Sequence, residues 1–142
     1  MRPYILFLVA FIAISSCKKS TVSTTNYYVA LAATLKGSNE TLSNGSAATG
    51  SATATYNKST MILTVNVVYS GLTATAAHIH KGAVGVSGAV IFPFPGVASP
   101  INYTSTALDA TKEADLLANL YYVNIHSAAF PNGEIRGQLV VK

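Results

Sequence analysis

An all-β domain, a β-sandwich of short antiparallel strands, is what this sequence predicts, and three observations predict it. Only 10% of the residues are charged, and Ala, Thr, Ser, Val and Gly dominate. Helical bundles draw instead on Glu, Lys, Leu and Arg. Apolar and polar residues alternate with period two in several runs, most clearly over residues 61–69 (MILTVNVVY). Turn-forming residues break the chain at roughly ten-residue intervals, giving seven or eight strand candidates. With 142 residues the chain has room for one domain. Its one cysteine leaves no intrachain disulfide, so packing alone must hold the core.

Residues 1–17 read as a targeting segment outside the fold. Arg2 supplies a positive start, and residues 4–14 (YILFLVAFIAI) form an apolar core too short for a permanent membrane span. The segment ends in Ile14-Ser15-Ser16-Cys17. An aliphatic residue and two small ones before a cysteine resemble the bacterial lipobox. That resemblance implies diacylation of Cys17 and cleavage just before it; an ordinary signal peptide with an incidental cysteine is the plainer alternative. Two or three acyl chains give stable anchoring where one is marginal. The expected location is therefore the bacterial cell envelope, outside the cytoplasm, with the membrane as partner through the lipid. Residues 18–26 are Lys, Ser and Thr rich and read as a flexible tether, leaving residues 27–142 as the domain.

Within the domain, residues 27–35 form a strand candidate whose apolar content is too continuous to assign a face. Residues 36–40 turn, and Asn44-Gly45 is a second turn signal in a polar loop. Residues 48–56 (ATGSATATY) alternate small residues with hydroxyls, and Asn57-Lys58-Ser59 connects them to the strand at 61–69. There Met61, Leu63, Val65, Val67 and Tyr69 share one face. Residues 74–80 are the next strand. Residues 88–92 are another, ended by Pro93 and Pro95, which exclude a central ladder position. Residues 101–107 alternate again. Residues 109–119 (DATKEADLLAN) are the one helical patch, capped by Asp109 or Thr111 and dependent on packing of Leu116, Leu117 and Leu120. Strands at 121–127 and 134–141 close the chain. Asn132-Gly133 between them suits a type I′ hairpin turn.

From Ala33 onward the chain resembles the CHRD family, named for chordin and common in bacterial secreted and lipid-anchored proteins. Six ordered pieces carry the likeness. They are Leu35-Lys36-Gly37-Ser38-Asn39-Glu40, Ala48-Thr49-Gly50, Tyr69-Ser70-Gly71-Leu72, Ala77-His78-Ile79-His80-Lys81-Gly82 with Gly85 and Gly88, Tyr122-Val123-Asn124-Ile125-His126, and Pro131-Asn132-Gly133-Glu134-Ile135-Arg136-Gly137-Gln138-Leu139. Family members usually carry Val-Pro or Pro-Pro after the Asn-Glu, where this chain has Thr41-Leu42-Ser43. The resemblance implies an immunoglobulin-like or superoxide-dismutase-like β-sandwich, so the expected fold is a Greek-key sandwich of that kind with the one short helix read at 109–119. It implies no established activity.

The chemistry-bearing residues are few. His78 and His80, two apart on a strand, point to the same face, and His126 supplies a third nitrogen if its strand is a neighbour. Imidazoles so grouped suit copper or zinc. Copper-zinc superoxide dismutases also carry an H-x-H pair on a sandwich strand, but two metals need more ligands than three histidines supply. The competing reading is a structural polar cluster in which Asn124, Glu134, Arg136 and Gln138 satisfy the imidazoles. Register bears on the choice. A two-residue Asn132-Gly133 turn would pair His126 with Leu139 on an apolar face, and a bulge would reverse that. Arg136 and Glu134 are either a clamp at the hairpin or an anion or partner contact. Gly82, Gly85 and Gly88 read as positive-φ turn makers, since no helix and no phosphate-loop order follows them.

His126 and Ser127, adjacent on a strand, face opposite ways and make no triad, and five acidic residues supply no paired catalytic carboxylates. No Lys/Arg stripe interleaves with aromatics, so a pI near 9.3 does not point to nucleic acid. The expectation is a non-enzymatic, membrane-tethered binding or structural module with an unidentified protein or envelope partner. The alternative is a single-site copper or zinc domain on His78, His80 and His126, redox-active in one form of that reading.

Overall fold

The computed structural model describes residues 27–142. The leader, Cys17 and the tether lie outside the described residues. The chain runs through β1 (Tyr28–Lys36), a 3-10 turn (Gly37–Asn39), β2 (Thr49–Asn57), β3 (Ile62–Ser70), β4 (Ala74–Lys81), β5 (Val90–Pro93) and β6 (Ile101–Thr104). Helix α1 (Ala110–Leu117), β7 (Tyr121–Ser127), β8 (Ile135–Gln138) and β9 (Val140–Val141) complete it. The expected all-β fold with one short helix is what the chain adopts.

All pairings are antiparallel, in the order β5-β4-β7-β8-β1-β2-β3-β6, with β9 also on β1. The β1–β2 and β2–β3 ladders are long and regular. By contrast β8 meets β1 only at Lys36↔Arg136, and β9 meets it at Leu31↔Val141 and Ala32↔Val140. The sheet thus curls at β1 into two halves. Alternation sends one side chain in two inward from each half. Leu31 and Leu35 of β1, Leu63 and Val67 of β3, Ile79 of β4 and Val123 and Ile125 of β7 join one hydrophobic cluster. Prolines place β5 as expected, at one end of the strand order, with β6 at the other.

Helix α1 is capped by Asp109, whose side chain accepts from the Lys112 N–H, 2.8 Å away. Leu116 anchors it in the core, whereas Leu117 is exposed, against expectation. A helix this short buries one stripe, and Leu117 lies off it. Met61 is exposed too, with φ 58°, because it closes the β2–β3 connection and does not begin the strand.

The turns differ in detail from expectation. Asn44-Gly45 turns through its side chain and not as a backbone hairpin: Asn44 Oδ1 accepts from the Ser46 N–H, an Asx turn, and Nδ2 donates to the Glu134 carbonyl. Its side chain has found a tertiary partner that sequence proximity does not show. Asn132-Gly133 is not a two-residue type I′ turn. Ile125 pairs with Ile135, and residues 126–134 form a longer connection in which Gly133 alone has positive φ, +128°. Lastly, only Gly85 of the three loop glycines has positive φ. A Cβ at Gly88 would lie 1.5 Å from the Lys81 carbonyl oxygen, and one at Gly82 would lie 2.6 Å from that of Val86. Those two positions need glycine for close backbone approach. The final strand also breaks, with Leu139 turning into the core between β8 and β9.

Candidate functional site

The outward side chains of β4, β7 and β8 converge on one polar face. Inward Ala77 and Ile79 alternate with outward His78 and His80 on β4. On β7 the outward set is Tyr122, Asn124 and His126, between buried Val123 and Ile125. Register places His80 opposite Tyr122, His78 opposite Asn124, and Asn124 opposite Arg136. The long β7–β8 connection moves the pairing by an odd number of positions from a two-residue turn. His126 therefore leaves the Leu139 face and joins the other two histidines.

The three imidazoles each offer a ring nitrogen within 4.8 Å of the others, and all three are half-buried. His80 Nδ1 lies 3.0 Å from the Gly88 carbonyl oxygen, and His126 Nδ1 lies 3.0 Å from that of Pro131. A carbonyl only accepts, so both Nδ1 atoms carry a proton, and in the neutral ring each Nε2 presents a lone pair. His80 Nε2 is buried without a hydrogen-bond partner. His78 Nδ1 is 3.3 Å from His126 Nε2 and donates to it when no ion intervenes. Two nitrogens bound tetrahedrally at about 2.0–2.1 Å from one ion would stand about 3.3–3.4 Å apart. Backbone carbonyls that fix the far nitrogen are also the usual means of orienting a ligating imidazole.

Burial works against protonation of two of the three rings, His78 and His80. Burial pulls the His78 pKa below its ordinary value, with His126 and His80 adding to the effect. Burial does the same to His80, opposed by the Gly88 hydrogen bond and reinforced by His126 and Arg136.

Two loops cover this face, and Arg136 holds them. Its side chain is 2% exposed and its guanidinium lies 3.4 Å over the Tyr122 ring. It donates to the carbonyls of Ala83 and Val86 at 2.8 and 3.0 Å and to Thr41 Oγ1 at 3.1 Å. Gln138 Nε2 donates to the Gly82 and Asn119 carbonyls. His80 stacks on Tyr122 with the rings 7° from parallel and 5.0 Å apart. Of the expected polar cluster, Asn124, Arg136 and Gln138 bond to groups on this face, and the Glu134 carboxylate is engaged by Ser46. Its Oε1 accepts from Ser46 Oγ at 2.6 Å. The carboxylate beside Arg136 is Glu40, which no local pattern marks as a site residue. Glu40 Oε1 accepts from Asn124 Nδ2 at 2.8 Å, and burial raises its pKa to about 7 against the pull of Asn124 and Arg136. Its signal in the sequence is its place in the first of the six ordered pieces, as one of only five acidic residues.

Residues 31–139 match the CHRD domain family. Neither the curated proteins nor the solved structures yield a match.

Proposed function

The chain belongs to the CHRD domain family, and from that premise we propose that it is a lipid-anchored, non-enzymatic binding module of the bacterial cell envelope that holds one copper or zinc ion on His78, His80 and His126. The observation that carries the metal reading is the trio of ring nitrogens within 4.8 Å, two of them aimed by backbone carbonyls. An all-imidazole donor set suits both metals, and the general affinity order favours copper(II) over zinc. The anchor reading rests on the apolar leader and on Ile14-Ser15-Ser16-Cys17. A tether of residues 18–26 would then hold the sandwich close to the membrane surface.

A second reading keeps the module and drops the ion: the His78–His126 hydrogen bond and the Arg136 clamp then serve only to join strands and loops. Metal titration of the purified domain at pH 7.5 separates them. One copper(II) per chain is expected, with affinity lowered about a hundredfold or more in His80→Ala and in His126→Ala, since even supporting residues cost 10–100-fold. Binding that survives both substitutions unchanged would remove the site. For the anchor, Cys17→Ser should release the protein from the membrane fraction.

A further inference from the structure

Beside the histidines lies a cavity of about 450 Å³ with Glu40, His80, Ser87, Tyr122, Asn124 and Arg136 among its lining residues. The side chain of Asn124 is unusual in it. The residue is 3% exposed, yet its Oδ1 has no hydrogen-bond partner. Its amide is oriented from the other end, where Nδ2 donates to Glu40 Oε1. Gly133 packs closely against this pair: a Cβ there would lie 2.7 Å from Asn124 Oδ1 and 2.8 Å from Glu40 Oε1. A buried acceptor left unpaired is costly and rare, and in a polar cavity it marks a place for a donor. Asn124 also stands on the histidine face, across the sheet from His78 and two residues before His126.

His80 Nε2, the other orphaned acceptor of the cavity wall, is one of the three nitrogens of the metal cluster. Among the described residues no fourth His, Cys, Asp or Glu joins that cluster. Closed structural sites take four protein ligands, whereas three leave a position for solvent or an exogenous ligand. Arg136 adds positive charge to the cavity, and Glu40 on the same wall offsets it to the extent that its carboxyl is ionised. Its guanidinium is bound to two carbonyls and a hydroxyl, and among the described residues no carboxylate lies within ion-pair distance of it.

Resting on the metal reading above, we propose that the ion's fourth position opens into this cavity. There it takes a water or hydroxide held by Asn124 Oδ1 and exchangeable for a small anion. The ligand's oxygen lone pair goes to the ion and its O–H to Asn124, which satisfies the orphaned acceptor. The positive charge of the ion and of Arg136 then favours anions small enough for the cavity.

The test uses the mature chain loaded with one copper(II), reading water-proton relaxivity and the optical spectrum during titration with azide. The expected result is an inner-sphere relaxivity excess that azide abolishes saturably, with a new charge-transfer band. In Asn124→Leu, copper stoichiometry is retained and the relaxivity excess is lost. Should that variant fail to fold, Glu40→Ala decides, since it frees the Asn124 amide to rotate and should lower the excess at unchanged copper loading. A chain that binds copper through the histidines but shows no relaxivity excess and no azide response has a closed site. That overturns this proposal and leaves the metal reading standing. An excess unchanged in both variants overturns the role of Asn124. Failure to bind copper at all overturns both readings.

Discussion

The two outer faces of this sandwich obey the same local rule and meet different fates. On the β1–β2–β3–β6 half, outward Thr53, Asn66 and Asn102 lie in register across three strands, as do Thr55, Thr64 and Thr104. They are mostly exposed and stay so. On the β4–β7–β8 half, the same alternation sets out His78, His80, Asn124 and Arg136, and two loops then close over them. Alternation makes both faces polar. Covering one of them takes polar groups away from water, forces each to find a partner, and leaves lone pairs where none is found. The difference between a wetted surface and a candidate site here is therefore the lid, and the lid depends on Arg136 and on close-packed glycines.

Removing the clamp should break the comparison most severely. Arg136→Ala would leave the Ala83 and Val86 carbonyls and the Thr41 hydroxyl unpaired, and should cost about 3–5 kcal/mol in chemical denaturation. Gly88→Ala should come next. Its Cβ collides with the Lys81 backbone, so the loop must shift, costing about 2–3 kcal/mol and exposing the Tyr122 ring to collisional fluorescence quenching.

Acidity sharpens the contrast in a graded way. Glu40 has a folded pKa of about 7, above its ordinary 4.5. The folded state therefore binds its proton more tightly, and the associated stability is complete below pH 4.5 and lost as pH rises through 7. Glu40→Gln should be more stable than the parent above pH 7 and indistinguishable from it near pH 4.5, measured by urea midpoints. His78 and His80 act oppositely. Their folded pKa values are lowered, so their contribution is present above the ordinary 6.5 and falls away as pH drops below it. The smallest effect belongs to the open face. Thr55→Val and Thr53→Val, with side chains in solvent, should shift stability by no more than about 0.5 kcal/mol. A large loss there would mean that the open face is also covered.

Much of the fold was legible from local signals. Alternation over residues 61–69 located β3 within a residue, the proline pair marked β5 as an edge, and Asp109 capped its helix as expected. The site was half legible. H-x-H spacing places two imidazoles on one face whatever the register, because strand period is local. Where His126 points was not decidable from Asn132-Gly133, since one odd shift in a connection turns every side chain of a strand over. Glu40 was missed for a related reason. Its partner Asn124 is 84 residues away, and the Thr41 that meets Arg136 is separated from it by 95.

By itself, then, the sequence determined the all-β class, the strand positions, the pair of histidines on one face and the family likeness. Each depends on periodicity or on motifs a few residues long. Tertiary structure alone decided that His126 completes the trio, that Glu40 rather than Glu134 stands beside Arg136, and that Asn124 is buried with a free acceptor. Those outcomes depend on the register between β7 and β8 and on two loops meeting over them. Both are set by long-range packing, which short-range pattern does not encode.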